Sequence, residues 1–214
     1  MSEVQILSLS GNRLSDTIPE CVGNCSKLRQ LFLDDNNLVG VLPESLNIEN
    51  LVFLNVSNND LNGSIPLGSR NCKNLIVLLL SHNNFSGETP PGLGNCSSLA
   101  ILGLFENRFS GKIPPELGKV KSLVFLLLQA NQLEGRIPAE LGLLEELSSL
   151  DLSENRLSGK IPPELGKCES LKILSLYKNQ LEGKIPDELG MLSDLRYLKL
   201  SFNNLSGEIP HIVA

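Results

Sequence analysis

Three side chains of the types that serve in metal or acid–base chemistry recur in one column of a repeating sequence. Asp35 lies 47 residues before His82, and Glu106 lies 24 residues after it. An aspartate, a histidine and a glutamate that met would suggest a metal site or a proton-transfer pair. The repeat places Asp35 and His82 two strands apart, about 10 Å, which is too far for one ion. We therefore expect no metal and no cofactor.

Motifs for nucleophilic or nucleotide chemistry are absent as well. The sequence contains no G-x-S-x-G, no phosphate-binding glycine loop and no H-E-x-x-H. Serines recur on one strand face without a neighbouring base to activate them: Ser57, Ser81, Ser153 and Ser201. The adjacent acids Asp34 and Asp35 alternate faces, so they do not form a catalytic dyad. These patterns predict a binding surface and not an enzyme.

The five cysteines do not follow a recognisable metal or disulfide framework. Four of them share the repeat position that Leu144 and Leu192 occupy in other units: Cys25, Cys72, Cys96 and Cys168. We interpret these four as small buried hydrophobic residues and not as disulfide partners. Cys72 and Cys96 lie in adjacent units and are the one pair that warrants a test. Cys21 has no assigned role.

Composition and charge exclude several classes of partner. The 214 residues are 41% hydrophobic but only 4% aromatic, with no tryptophan, so the core must consist of many aliphatic side chains. A formal net charge of −6 argues against nucleic acid or an anionic membrane as a partner. No run of 18 apolar residues is present, so this chain is not expected to span a bilayer.

A 24-residue period accounts for the whole chain. Asparagines mark it in steps of 24 residues, with one step of 23: Asn12, Asn36, Asn59, Asn83, Asn107, Asn131, Asn155, Asn179 and Asn203. Each unit reads L-x-x-L-x-L-x-x-N-x-L-x-G-x-I-P-x-x-L-G-x-L-x-x, and we number its positions from the first leucine. Nine units fit, beginning at Val4, so we expect a single domain over residues 1–214 that is uncapped at both ends.

Each recurring position has a physical role. The leucines at positions 4 and 6, as at Leu126 and Leu128, point inward from a short strand, so the residues beside them point outward. The asparagine satisfies backbone groups where the strand turns away, and the glycine at position 13 permits a backbone conformation that other residues resist. The proline at position 16 precedes a short helical turn. One unit cannot bury its own apolar face, so the units must stack around a continuous core.

The unit Leu157–Gly166, L-S-G-K-I-P-P-E-L-G, resembles the plant-specific leucine-rich repeats of receptor-like kinases and their secreted relatives. The resemblance covers the whole chain. Stretches such as Leu31–Leu61 and Pro90–Ser98 are most similar to the ectodomains of receptors for endogenous danger (Pep) peptides. The resemblance implies an α/β leucine-rich-repeat solenoid. Such a solenoid is a right-handed superhelix with a parallel β-sheet on its concave face and short helical turns on its convex side.

The same resemblance implies an extracellular role in plant immunity and signal transduction. Family members bind an extended peptide along the concave face, and the ectodomain of a co-receptor kinase joins the complex. Where many members carry an Arg-x-Arg pair for a ligand carboxylate, this chain has Glu106/Arg108 and Glu154/Arg156, so we expect that pocket to be absent. We expect a fragment of a longer receptor ectodomain at the plasma membrane, or a chain secreted to the cell wall. Its exposed ends would favour self-association.

Outward strand positions predict the ligand surface. Units 4 to 6 carry an apolar cluster there, and units 7 to 9 carry charged and tyrosine side chains. A groove for an extended peptide requires this combination, although such apolar residues can also simply cover a sheet. The predicted contacts are Leu79, Ile101, Phe105, Glu106, Phe125, Leu127, Gln129, Asp151, Tyr177, Lys178, Tyr197 and Lys199.

Six N-x-S/T sequons predict N-glycosylation in a secreted chain: Asn24, Asn55, Asn62, Asn84, Asn95 and Asn204. A glycan on Asn55 would rise from the concave strand of unit 3 and obstruct it. We therefore place the ligand surface in units 4 to 9.

Two further patterns leave alternatives open. Basic residues share position 14 and acidic residues share position 18 in units 5 to 8: Lys112, Arg136, Lys160 and Lys184, with Glu116, Glu140, Glu164 and Glu188. We interpret them as solvated columns that pair across a turn; the alternative is a strip for a co-receptor or anionic pectin. The alternative function is a secreted inhibitor of a wall-degrading enzyme such as a polygalacturonase, which predicts a charged concave face. Ice binding is a further alternative. It would require an uninterrupted array of asparagines at position 10, and arginines interrupt that array in this chain.

Overall fold

The computed structural model of the chain describes residues 3–46, 48–66 and 72–210. Each unit contributes one three-residue strand from positions 3 to 5, and these nine strands pair in parallel in chain order to form the concave sheet. The strands are β1 Ile6–Ser8, β3 Gln30–Phe32, β5 Phe53–Asn55, β7 Val77–Leu79, β9 Ile101–Gly103, β11 Phe125–Leu127, β13 Ser149–Asp151, β15 Ile173–Ser175 and β17 Tyr197–Lys199. Equivalent positions of successive units lie side by side, as Leu126 does with Leu102 and Leu150.

A second parallel sheet of nine strands, the flank sheet, was not predicted from the sequence. It forms from positions 10 to 14, directly after the asparagine. Its strands are β2 Ser15–Thr17, β4 Asn37–Val41, β6 Asp60–Gly63, β8 Asn84–Glu88, β10 Arg108–Lys112, β12 Gln132–Gly135, β14 Arg156–Gly159, β16 Gln180–Gly183 and β18 Asn204–Leu205. Its register is offset, so Lys112 at position 14 pairs with Glu134 at position 12 of the next unit.

Short 3₁₀ helices close the convex side, as the proline at position 16 predicts. Six are present among the described residues: η1 Glu20–Asn24, η2 Pro91–Asn95, η3 Pro115–Lys119, η4 Ala139–Leu143, η5 Pro163–Lys167 and η6 Asp187–Met191. A proline with φ between −64° and −72° precedes each helix. Its fixed φ suits the residue before a helical turn. The expectation of a leucine-rich-repeat solenoid with a concave parallel sheet is confirmed.

The core is one continuous column of aliphatic side chains between the two sheets and the helices. Leucines at the inward positions, such as Leu102, Leu126 and Leu150, have no exposed surface. Phe85 and Phe109, at position 11 of units 4 and 5, are the largest fully buried side chains and stack with ring centroids 6.3 Å apart. Burial of each such side chain contributes about 2 kcal/mol.

The recurring asparagine satisfies backbone groups as predicted, and its copies form a ladder along the chain. Asn131 donates from Nδ2 to the carbonyl oxygens of Leu104, Leu128 and Gln129, at 3.0, 3.2 and 3.3 Å. Its Oδ1 accepts the backbone N–H of Phe109 in the preceding unit, at 2.9 Å. One side chain thus satisfies backbone groups of two units at the bend between the sheets, where no strand partner is available.

The interpretation of the cysteines is wrong for one pair. Cys72 and Cys96 form a disulfide that joins position 22 of units 3 and 4, with Cα atoms 4.6 Å apart. Stacking places equivalent positions at the separation that a disulfide requires, so two cysteines one repeat apart meet. Cys25 and Cys168 are free and buried, as expected, and Cys21 is free and exposed. Burial raises the pKa of the Cys168 thiol to about 11.

The predicted pairing of the basic and acidic columns is also wrong. None of the basic residues at position 14 in units 5 to 8 forms an ion pair with a residue that the structure describes. Each one extends along the flank instead. The Cγ of Lys112, for example, lies 3.2 Å from where a Cβ on Gly135 would stand. The hydrocarbon stems therefore pack on the glycines of the next unit while the charges stay in solvent.

Candidate ligand-binding surface

The concave sheet presents two rows of outward side chains, at positions 3 and 5, and a third row at positions 7 and 8 where each strand ends. The residues at position 8 have a left-handed backbone, with φ between 51° and 56° from Asp35 to Phe202. This conformation turns the chain sharply towards the asparagine. It holds the position-8 side chain at the edge of the concave face in each unit, so side chains from neighbouring units meet there.

The predicted apolar contacts lie together in units 4 to 6. Leu79 and Leu127 flank Gly103 in one row, and Ile101 and Phe125 are neighbours in the next. A Cβ on Gly103 would lie 2.8 Å from Cδ2 of Leu79, so the glycine lets that leucine lean onto the adjacent strand. Phe125 is 38% exposed, and the others are half-buried. The result is a continuous apolar area on the concave sheet.

Phe105 and Glu106 extend this area at its edge. The Phe105 ring stands edge-on to the His82 ring, with centroids 5.0 Å apart. Oε2 of Glu106 lies 2.8 Å from Nδ1 of His82, and both side chains are exposed. His82 and Glu106 therefore do meet, as their shared column allows, and Asp35 instead accepts a bond from Asn58. Within the described ranges no group of three or more His, Cys, Asp or Glu residues is arranged to hold a metal ion.

A second charged group lies at the same edge in units 7 and 8. Glu154 accepts hydrogen bonds from the Tyr177 hydroxyl at 2.5 Å and from Lys178 Nζ at 3.0 Å. The bond from Tyr177, followed by that from Lys178, lowers the pKa of Glu154. The same carboxylate raises the pKa of Tyr177 and of Lys178. The Lys178 ammonium also lies 5.9 Å from the Tyr177 ring centroid.

The remaining predicted contacts are separate from these two groups. Gln129 is half-buried, and its buried Oε1 has no hydrogen-bond partner among the described residues. Asp151 is half-buried in the row of Leu127, with Ser153 as its bonding partner. Tyr197 and Lys199 are exposed on the last strand of the sheet. That these residues bind a ligand stays a prediction.

Sequence reasoning omitted Glu154 and Ser153 from the candidate contacts, although both organise them. Glu154 positions Tyr177 and Lys178, and Ser153 positions Asp151. The sequence does contain a signal for the role of Glu154. Glu154 stands 24 residues before Lys178, and opposite charges in one column of a stacked repeat face each other across neighbouring strands.

The predicted glycosylation sites are divided between the faces. Asn24 and Asn95 are exposed at the ends of η1 and η2, on the convex side. Asn62, Asn84 and Asn204 lie in strands of the flank sheet. Asn55 is half-buried in β5, and its Oδ1 accepts the Ser57 backbone N–H at 3.1 Å. The outward strand residues of the concave sheet in units 4 to 9 include no sequon asparagine.

In the part of the chain that the structure describes, no helix has the length and apolar character needed to cross a membrane.

Family profiles and known proteins agree with this architecture. Two leucine-rich-repeat profiles match, one over residues 145–205 and the other over residues 3–25, 27–47, 50–72 and 74–96. The leucine-rich repeat receptor protein kinase MSL1 of Oryza sativa subsp. japonica is 43% identical over 63 residues, which are 29% of this chain and 4% of that protein.

Solved structures extend the similarity over nearly the whole chain. The crystal structure of PEPR1–AtPEP1 superposes with a TM-score of 0.95 and 48% identity, over 99% of this chain and 30% of that one. The structure of the Arabidopsis receptor kinase HAESA, in complex with the peptide hormone IDA and the co-receptor SERK1, superposes with a TM-score of 0.93 and 40% identity. This match covers 98% of this chain and 35% of that one. The chain thus spans about a third of these two structures. It belongs to the leucine-rich-repeat family and has the architecture of plant receptor-like kinase ectodomains, which are non-catalytic.

Proposed function

We propose that the chain is the peptide-recognition part of a plant receptor-kinase ectodomain, on the outside of the cell. An extended peptide would lie along the concave sheet in units 4 to 9, and the ectodomain of a co-receptor would join it there. The observation that carries the proposal is the apolar area of Leu79, Ile101, Phe105, Phe125 and Leu127, which faces solvent from a sheet whose other face supplies the core.

The charged groups beside this area support a peptide rather than an enzyme as the ligand. Glu106 and Glu154 are already paired with His82 and with Tyr177 and Lys178, so the edge of the groove is polar and ordered. An apolar centre with a polar rim is the usual arrangement of a recognition surface. PEPR1 and HAESA, two receptors whose structures resemble this chain, were solved with AtPEP1 and with the peptide hormone IDA.

A displayed library of random 12-residue peptides, selected on the immobilised chain, tests the proposal. We expect wild type to enrich binders whose affinity falls at least tenfold for the Phe105→Ser/Leu127→Ser variant, because truncated central contacts dominate such interfaces. The matched control is Leu143→Ser/Met191→Ser, the same kind of change at two exposed residues of η4 and η6 on the convex side.

The control should bind as wild type does, and circular dichroism should show that all three proteins are folded. Affinity within twofold of wild type for the Phe105→Ser/Leu127→Ser variant would contradict this placement of the ligand. Failure of the wild-type chain to enrich any peptide would contradict the function itself.

A further inference from the structure

Asp151 holds a place in the concave sheet that no other acidic residue shares. It ends β13, at position 5 of unit 7. Among the residues of the nine concave strands, all of which the structure describes, it is the one carboxylate. Its neighbours in the same row are Leu127 on one side and Ser175 on the other. A carboxylate thus stands where the apolar area of units 4 to 6 ends.

The Asp151 carboxylate is oriented but not neutralised. Its Oδ1 accepts two bonds from Ser153, from the backbone N–H at 3.0 Å and from the hydroxyl at 2.5 Å. No lysine, arginine or histidine that the structure describes lies within 4.0 Å of it. Glu106 and Glu154 differ, because Glu106 contacts the His82 imidazole and Glu154 forms an ion pair with Lys178. The one basic residue of the concave strands, Lys199, is two strands away, about 10 Å.

The positions beside Asp151 carry short polar side chains. Ser149, in the same strand, is buried between Phe125 and Ile173, its larger neighbours in the row. Ser175 is 1% exposed, and its Oγ has no hydrogen-bond partner in the described structure. Ser149 thus lies between two larger side chains, and Ser175 lies directly beside the unpaired carboxylate. A buried hydroxyl without a partner is uncommon in a native protein and is consistent with a ligand group as its partner.

We propose that Asp151 is the recognition point for a basic side chain, Arg or Lys, of the peptide ligand; the inference rests on the proposed function. The hydrocarbon stem of the ligand residue packs against Phe125 and Ile173, and its charged end meets the free oxygen of Asp151. A peptide that covered Asp151 with an apolar residue would leave a charge buried and unpaired, which is costly. The site therefore selects for charge and does not merely tolerate it.

The test compares peptides selected from one random 12-residue library by wild type, by Asp151→Asn and by Asp151→Lys. The asparagine variant keeps an oxygen that can accept both Ser153 bonds, so it removes the charge and leaves the geometry. The matched control is Asp187→Asn, the same change at an exposed residue of η6 on the convex side.

We expect wild type and Asp187→Asn to enrich Arg or Lys at one peptide position, Asp151→Asn to lose that enrichment, and Asp151→Lys to select Asp or Glu there. A single peptide selected on wild type should bind Asp151→Asn about tenfold more weakly, and Asp187→Asn within twofold. Peptides that bind through Phe105 and Leu127 but show no basic preference would overturn this inference and leave the proposed function intact. If no peptide is enriched at all, the proposed function fails and this inference fails with it.

Discussion

At the scale of single residues, several polar side chains at the concave edge bond to a side chain of the neighbouring unit. Glu106 bonds His82, Glu154 bonds Lys178, and Asp35 bonds Asn58, each pair one unit apart. The left-handed backbone at position 8 directs all of these side chains to the same edge. Because the pairs are exposed, their contribution to stability is small. Their effect is to fix the orientation of groups such as the Tyr177 hydroxyl.

The Tyr177→Phe variant tests this arrangement. Removal of the hydroxyl removes the largest cause of the lowered pKa of Glu154, so that pKa should rise towards its ordinary value of 4.5. In wild type the pKa is lower in the folded chain than in the unfolded chain. The pairing therefore stabilises the fold above the unfolded pKa, and this contribution is lost as the pH falls through the folded pKa.

Carbon-13 NMR of the Glu154 carboxyl between pH 2 and 7 measures this pKa in both proteins. The carboxyl of Glu134, exposed on the flank sheet, serves as an internal control in the same spectra. An unchanged titration of Glu154 in Tyr177→Phe would show that the hydroxyl does not hold the carboxylate in solution.

At the scale of elements, the helical turns stack so closely that glycine is the residue type that fits at position 20. A Cβ on Gly142 in η4 would lie 2.3 Å from the carbonyl oxygen of Glu164 and 2.7 Å from its Cβ. Gly118 and Gly166 meet their neighbouring turns in the same way. The glycine at position 20 thus sets the distance between convex turns, and its contact is with backbone, which cannot rotate away.

We expect Gly142→Ala to lower the free energy of unfolding by about 2 kcal/mol, because the added methyl group forces adjacent turns apart. An alanine that fits would instead stabilise the chain by about 0.5 kcal/mol through the unfolded state. Urea unfolding measures the difference. The control is Glu140→Ala in the same helix, at an exposed side chain, which should change stability by less than about 0.5 kcal/mol. Equal stabilities for the two variants would show that the turns can separate without cost.

Most of the fold could be predicted because every unit repeats the same pattern of residues. The inward leucines, the asparagine ladder and the proline before each turn follow from positions such as Leu126, Asn131 and Pro138. Features that join neighbouring units were not predicted. The flank sheet arises from backbone pairing between units, and the Cys72–Cys96 disulfide depends on how both side chains at position 22 are oriented, which the residue pattern of a single unit does not specify.

The candidate site was predictable to a lesser degree. The outward apolar residues follow from the alternation of the strands, as at Leu127 between Leu126 and Leu128. Strand alternation does not predict whether a charged side chain is paired. Glu154 is paired and Asp151 is not, although both are acids on the same unit. That difference depends on which side chain of the next unit lies opposite the acid. It also depends on whether the length and rotamer of that side chain allow it to contact the carboxylate.

At the scale of the whole molecule, each unit contacts only its immediate neighbours. Helices and strands touch their counterparts in the adjoining units and no others among the described elements. Stability is then a sum of terms within units and between neighbours, as in other solenoids. A unit in the middle of the chain has two such interfaces. In this chain unit 1 has one, and its Leu9 and Leu14 are both 38% exposed.

Amide hydrogen exchange should therefore reveal a gradient along the chain, and two equivalent amides allow a matched comparison. The backbone N–H groups of Leu14 and Leu133 both donate to an asparagine Oδ1 of the next unit, at 3.0 Å in each case. We expect the Leu133 amide to exchange at least 100-fold more slowly, a difference of about 2.7 kcal/mol in opening free energy. The hydrogen bonds are alike, so the difference must come from the number of packed neighbours. Equal exchange rates, measured by NMR on the same sample, would instead mean that the nine units open together as one cooperative body, and that the disulfide and the asparagine ladder couple the end unit to the centre.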